Sequence, residues 1–236
     1  MSRRPNQMRA TTIQRYPTWA PGSVVISQGC TRVLCTASVN DQVPSFLRDP
    51  ATGQPTSGWI TAEYAMLPAS TPQRKERGPD SRSTEIKRLI GRCLRAAVQM
   101  DRMPGITIRC DCDVLMADGG TRTCSITGAF VALQLAVIWA RQQGLIRHNP
   151  IRGPVAAVSV GIVDGTSLLD LDYDLDVRAQ VDMNVAMNHK GQFVEVQGTA
   201  EASPFSKTRL DELLKLAATG IRRLIRIQRA TLRQAR

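Results

Sequence analysis

Aromatic residues make up only 4% of this 236-residue chain, and its histidines are limited to His148 and His189. With so few stacking platforms, a nucleic-acid partner would be held by backbone electrostatics and not by bases packed on rings. The six cysteines, at 30, 35, 93, 110, 112 and 124, form no CxxC pair, and two histidines cannot complete a standard zinc set. Most of the cysteines sit in apolar patterns and read as small buried residues without disulfides, although Cys110 and Cys112 are predicted on one strand face. Neither GxGxxG nor GxxxxGK[ST] occurs, which removes a dinucleotide fold and a P-loop. Met1 to Ala20 lacks the apolar core of a leader, and the apolar run around Phe130 to Ala140 falls short of the roughly 20 residues a membrane span needs. Cytosol is the expected compartment.

Acidic residues are outnumbered, 20 against 31 Lys and Arg, for a net charge of +11. Such an excess points to a polyanionic partner, of which nucleic acid is the commonest. Eight basic residues face three acids between Arg74 and Arg95, and nine face two between Ser203 and Arg236. The remaining composition, 42% hydrophobic and 22% charged, is that of a globular chain with a real core.

The densest chemical signal is Asp118-Gly119-Gly120-Thr121-Arg122-Thr123. Before it, Ile106, Ile108, Cys110, Cys112, Val114 and Met116 alternate with polar residues, a half-buried strand. After it, Ile126, Ala129, Phe130, Leu133, Val137 and Ala140 recur at helical spacing over about 123–143, with Gly144 as a stop. Two glycines let a ligand approach the backbone, first-turn N–H groups point at it, and Arg122 adds a planar donor fork. The segment reads as a phosphate cradle. The plainer alternative is a tight strand-to-helix turn capped by Thr121 or Thr123.

Elsewhere, Ser23 to Ser27 and Arg32 to Ser38 predict a hairpin, and a basic loop at Gln73 to Ser81 leads into a helix. Ser83 is its expected cap, Glu85 suits its first turn, and Ile86, Leu89, Ile90, Cys93, Leu94 and Ala97 form its buried stripe. Val155 to Val163 and Ser167 to Tyr173 flank Asp164-Gly165, a two-residue hairpin signal. A third hairpin is expected from Val181 to Met187 and Gln192 to Gln197, and a basic last helix from about Lys207 to Leu232. The order predicts one α+β domain over residues 1–236, with mixed or antiparallel sheets and three main helices.

Asp170, Asp172, Asp174 and Asp176 alternate with apolar residues, so an extended chain would set the four carboxylates on one face, roughly 7 Å apart. For Asp170 and Asp172 a solvent-facing strand edge is the expectation. A turn over Val177 to Val181 can bring Asp176 beside Asp182, and two such carboxylates suit Mg²⁺, which binds through one or two carboxylates plus substrate phosphates.

Gly119 to Phe130 closely resembles the hallmark of the bacterial ribonuclease PH family, as do Gly58 to Tyr64, Thr84 to Arg92, Asp182-Met183-Asn184 and Glu195 to Glu201. The likeness spans about Gly22 to Gly220. It implies a phosphorolytic 3′ to 5′ exoribonuclease that trims precursor tRNA with inorganic phosphate and Mg²⁺ and releases nucleoside 5′-diphosphates. It also implies a homo-hexameric ring, a trimer of dimers. By resemblance, Arg82, Gly120, Thr121 and Arg122 bind phosphate, and Asp176 and Asp182 are the catalytic, metal-binding acids. Arg74 and Arg77 stand in the loop that contacts tRNA in the family.

The chain departs from the family pattern at several places. Ala69 replaces an arginine, the basic loop is short, Gln180 stands where an acid is frequent, Asp49 to Ser57 is inserted, and Ser2 to Arg9 lacks the usual opening. Related rings contain inactive subunits, so a non-catalytic RNA-binding subunit is the alternative, with a non-RNA phosphate-binding domain behind it.

Overall fold

Two β-sheets share one central helix in the computed structural model, which describes residues 3–78, 80–201 and 203–234. Pro79 of the expected basic loop and Arg236 of the basic tail lie outside the described residues. The first sheet contains β1 (Thr11–Arg15), β2 (Gly22–Gln28), β3 (Thr31–Asn40), β4 (Trp59–Met66) and β5 (Thr107–Met116), in the order β1-β2-β3-β5-β4. Its pairs are antiparallel except β4 with β5, which are parallel and joined through α1 (Ser81–Ala96). The second sheet, β7-β6-β8-β9, is antiparallel throughout and contains β6 (Val155–Val163), β7 (Thr166–Leu169), β8 (Val181–Asn188) and β9 (Phe193–Ala200).

α2 (Thr121–Gln142) packs against β2, β3 and β5 of the first sheet and β6 of the second. Burial on several sides explains why nearly all its residues are apolar or small and why no polar stripe runs along it. It is long and apolar enough to pass as a membrane span on composition, but 83% of its most apolar window is buried in the protein. Close approach sets Gly128: a Cβ there would lie 2.7 Å from Cys35 Sγ and 2.8 Å from Ile26. α4 (Lys207–Gln234) lays Leu213, Ala217, Ile221 and Leu224 onto the second sheet, closing a second core with Val158, Val160 and Met183.

All three expected hairpins form, and the α1 stripe is buried as predicted. Two edge strands were not among the sequence expectations: β1 has a single buried apolar residue, Ile13, and β4 buries Ile60, Ala62 and Tyr64 at every second position. The α1 cap is Asp80 and not Ser83, because the helix begins at Ser81 and the Asp80 carboxylate accepts from the Ser83 N–H. Glu85 therefore falls past the first turn. The strand expected to reach Tyr173 ends at Leu169, since Asp170 turns into left-handed backbone at φ 64°. A short helix, α3 (Tyr173–Val177), follows with Asp172 as its cap. The alternating aspartates thus share no strand face.

Candidate active site

Asp118, Gly119 and Gly120 carry the chain from β5 into α2. Gly119 and Gly120 are both left-handed, at φ 70° and 68°, a region that costs a residue with a Cβ roughly 1–2 kcal/mol. At Gly119 a Cβ would also stand 2.6 Å from the carbonyl carbon of Asp172 and 2.8 Å from Leu171 O. Gly120 is the N-cap of α2 and offers no side-chain acceptor. The first-turn N–H groups are therefore left without a capping side chain and can meet an anion. Neither threonine caps: Thr121 Oγ1 accepts from Tyr64 Oη at 2.8 Å, and Thr123 Oγ1 donates to Gly120 O at 2.9 Å. Burial pushes the Tyr64 phenol pKa up, so it stays a donor, although the Thr121 hydrogen bond and the nearby Arg82 and Arg122 charges oppose that shift.

A buried arginine holds this turn from below. Arg9 donates to both oxygens of Asp170 from Nε at 3.1 Å and from Nη2 to Oδ1 at 2.7 Å, while its backbone N–H reaches Oδ2 at 2.7 Å. The same guanidinium donates to the carbonyls of Asp118 and of Leu171, the latter at 3.2 Å. Arg9 is 9% exposed and Asp170 1%. Thr31 adds a second tie, donating to Gly119 O at 2.7 Å and accepting from the Asp118 N–H at 2.9 Å. Arg3 completes the lacing by pairing with Asp172 at 2.8 Å. The expected solvent-facing role of Asp170 and Asp172 is thus wrong, because both neutralise arginines from the N-terminal segment. One carboxylate pins the cradle to the chain leading into α3, and the other caps α3 and anchors Arg3.

Arg122 projects from the first turn of α2 and is preset by two neighbours. Nη1 donates to Gln197 Oε1 of β9 at 3.0 Å, and Nη2 lies 3.7 Å from Glu85 Oε2 of α1. Gln197 Nε2 donates in turn to Glu85 Oε1 at 3.4 Å. Arg82, the second residue of α1, is exposed, and its charge reaches both Tyr64 and Asp176.

The two acids come together as expected. Burial raises the Asp176 pKa against the opposing charges of Arg82 and Arg122, with Glu201 adding to the rise. Burial and then the Asp176 charge push Asp182 to about 6, against Arg122 and a hydrogen bond from Asn184. Asp182 Oδ1 is buried and has no hydrogen-bond partner. An orphaned carboxylate oxygen beside a second carboxylate fits a hard cation that takes one or two protein carboxylates and completes its shell with water and phosphate oxygens. Among the described residues no group of three or more His, Cys, Asp or Glu side chains forms a closed metal cage. Gln180 points its amide oxygen elsewhere, accepting from the Gly165 N–H at 3.0 Å.

Arg74 and Arg77 do not join this cluster. Arg74 pairs locally with Glu76 at 3.0 Å in the open. Arg77 lines a cleft of ≈ 320 Å³ beside the start of α1, with Lys75, Asp80 and Lys87. Sequence reasoning missed Arg9, Thr31 and Tyr64, and saw Glu85 only as a helix-end charge. The pairing of a basic N-terminal segment with isolated acids far along the chain leaves no periodic trace; nothing short of the fold connects Arg9 to Asp170.

Comparison with known proteins places this geometry. Residues 7–138 match the model of the 3′ exoribonuclease family, domain 1, and residues 153–220 match that of the same family, domain 2. A ribonuclease PH of Corynebacterium efficiens is 52% identical over 233 residues, covering 96% of this chain and 93% of that one. A ribonuclease PH of Syntrophomonas wolfei is 50% identical over 236 residues, covering 96% and 95%. The Archaeoglobus fulgidus exosome with RNA bound to the active site shares the fold at a TM-score of 0.79 with 21% identity, over 94% of this chain and 89% of that one. Rice (Oryza sativa) Rrp46 does so at 0.76 with 20% identity, over 98% of each. With both models matched in order and half of all residues shared nearly end to end, the chain belongs to the 3′ exoribonuclease family.

Proposed function

We propose that this chain is a phosphate-dependent 3′ to 5′ exoribonuclease that shortens the 3′ extensions of precursor tRNA and releases nucleoside 5′-diphosphates. The observation that carries the reading is the convergence of three features: the uncapped N-terminus of α2, the Arg82 and Arg122 charges, and the Asp176 and Asp182 carboxylates. Inorganic phosphate needs the first two, and a scissile phosphodiester held beside a cation needs the last. The half-sites come from both sheets, which supports residues 1–236 working as one unit.

In this reading the N–H groups at Thr121 and Arg122 and the guanidinium groups of Arg82 and Arg122 bind and orient phosphate and offset its charge. Glu85 and Gln197 keep Arg122 in place, so little side-chain freedom is lost on binding. Phosphate oxygen attacks the last phosphodiester phosphorus, the bond to the 3′ oxygen of the preceding nucleotide breaks, and that oxygen leaves with a proton. Asp176 and Asp182 would hold Mg²⁺, which would supply electrostatic stabilisation of charge on the scissile phosphate. A phosphodiester is exchanged for a phosphoanhydride, so the reaction runs both ways. Arg74 and Arg77 contact the RNA beyond its 3′ end. The ribonuclease PH resemblance further supports a cytoplasmic homo-hexamer built as a trimer of dimers, which sedimentation would test.

The test is incubation with a 3′-extended tRNA and Mg²⁺, with and without inorganic phosphate, and identification of the nucleotides released. Nucleoside diphosphates appearing only with phosphate are expected. Nucleoside monophosphates would mean hydrolysis and overturn the role of the cradle. RNA binding without release would assign the chain as a non-catalytic ring subunit.

A further inference from the structure

The solvent face of α4 carries one sign of charge along most of its length. Lys215, Arg222, Arg226, Arg229 and Arg233 are all exposed. At 3.6 residues per turn they fall within an arc of about 60° and run for about 27 Å of helix. Leu213, Ala217, Leu224 and Gln228 occupy the opposite side, buried in the protein. The acids of the helix, Asp211 and Glu212, are already held at its start, by Lys207 at 2.7 Å and Arg209 at 2.9 Å.

This arrangement works against the helix. Arg222 with Arg226, Arg226 with Arg229, and Arg229 with Arg233 are like charges at three- or four-residue spacing, where they repel across one helix face. A face that only met water would lower that repulsion by alternating signs, as the first turns of α4 do. Near the β8–β9 turn, burial and then the charges of Lys190 and Arg229 lower the His189 pKa.

Three occupants compete for such a surface. A second copy of the chain presents the same sign and is not self-complementary there. A membrane-surface helix sinks an apolar face into lipid, whereas the apolar face of α4 is spent on the second core. A phosphodiester backbone supplies the missing negative charge without requiring apolar contact.

We infer that the α4 face from Lys215 to Arg233 is a second RNA-contact surface, which grips the phosphate backbone of structured RNA independently of sequence. The inference rests on the exoribonuclease reading for its choice of polyanion. None of the five cations is tied by a hydrogen bond or ion pair to a residue of the candidate active site among the described residues; Arg222, for one, donates to Thr219 at 3.2 Å. The surface therefore acts on substrates long enough to reach it, and short oligonucleotides escape it.

The test replaces Arg222, Arg226, Arg229 and Arg233 together with glutamine, which keeps helix propensity and the buried face. Affinity for a 3′-extended tRNA is measured across a KCl series, alongside phosphorolysis of a short oligoribonucleotide. The expected result is a log–log salt slope shallower by about two to four, and tRNA affinity lower on the order of tenfold at physiological salt, with oligonucleotide turnover unchanged. An unchanged tRNA slope overturns the inference, as does loss of binding to phosphatidylserine vesicles with tRNA affinity intact. Release of nucleoside diphosphates by the unaltered protein decides the exoribonuclease reading separately, since the tRNA slope reads the α4 face whether or not turnover occurs.

Discussion

Arg9 and Arg226 carry the same guanidinium under opposite conditions. Arg9 is buried, with Nε, both Nη groups and its backbone N–H directed at Asp170, Asp118 and Leu171. Arg226 stands in solvent on a face without free acids. In the first setting low dielectric makes the charge costly unless every donor is matched, so the arginine specifies one geometry of the surrounding backbone. In the second, water screens the charge and side-chain freedom is kept, so the arginine specifies only a field. The cradle thus owes its shape to buried charge, and the outer surface owes its attraction for polyanions to exposed charge.

Substitutions can break this contrast, beginning with the largest effect. Asp182→Asn should lower turnover on the order of a thousandfold or more while leaving tRNA affinity nearly unchanged; single-turnover phosphorolysis beside a binding titration would check it. Arg9→Ala strands the Asp170 carboxylate and should cost about 3–5 kcal/mol of stability, read from urea unfolding. A loss under 1 kcal/mol would mean that the clamp is not what holds the turn. Arg122→Ala removes charge-assisted hydrogen bonds worth about 1.5–3 kcal/mol and should raise the phosphate KM roughly 10- to 100-fold. An equal rise in the RNA KM would assign Arg122 to RNA instead. Arg74→Ala, at the exposed extreme, should weaken long tRNA substrates only a few-fold and reduce the salt slope by about one.

pH sharpens the same comparison. Asp182 in the metal-free protein takes up its proton at about 6, above the ordinary 3.8, so the folded state holds that proton more tightly than the unfolded chain. Stability from this group is greatest below pH 4, falls as pH rises from 4 to 6, and is lower by about 2–3 kcal/mol above 6. Asp182→Asn should therefore unfold at higher urea than the parent at pH 8 in EDTA, with the gap closing toward pH 4. A gap that is constant with pH would contradict the desolvated carboxylate.

Much of the site was legible in the chain. Gly119 and Gly120 stand out because left-handed backbone and close approach leave few alternatives, and the helix after them announces itself by spacing. Asp176 and Asp182 were legible as a pair because a turn of a few residues separates them. The extended reading of Asp170 to Asp176 failed for a physical reason: alternation of apolar and acidic residues describes a strand only if nothing pulls the backbone away, and Arg9 and Arg3 do so here. Glu85 looked like a helix-end charge until the fold set Arg122 and Gln197 beside it.

By itself the amino-acid sequence determined what short-range physics can write: strand and helix periods, the glycine turn, the excess of positive charge and the types of residue available for phosphate and metal. Tertiary structure alone decided which charges meet. Arg9 and Asp170 lie 161 residues apart, and Arg122 and Gln197 75 apart. Such pairs depend on two sheets closing around α2, which desolvates some charges and leaves others in water, and no local pattern encodes that choice.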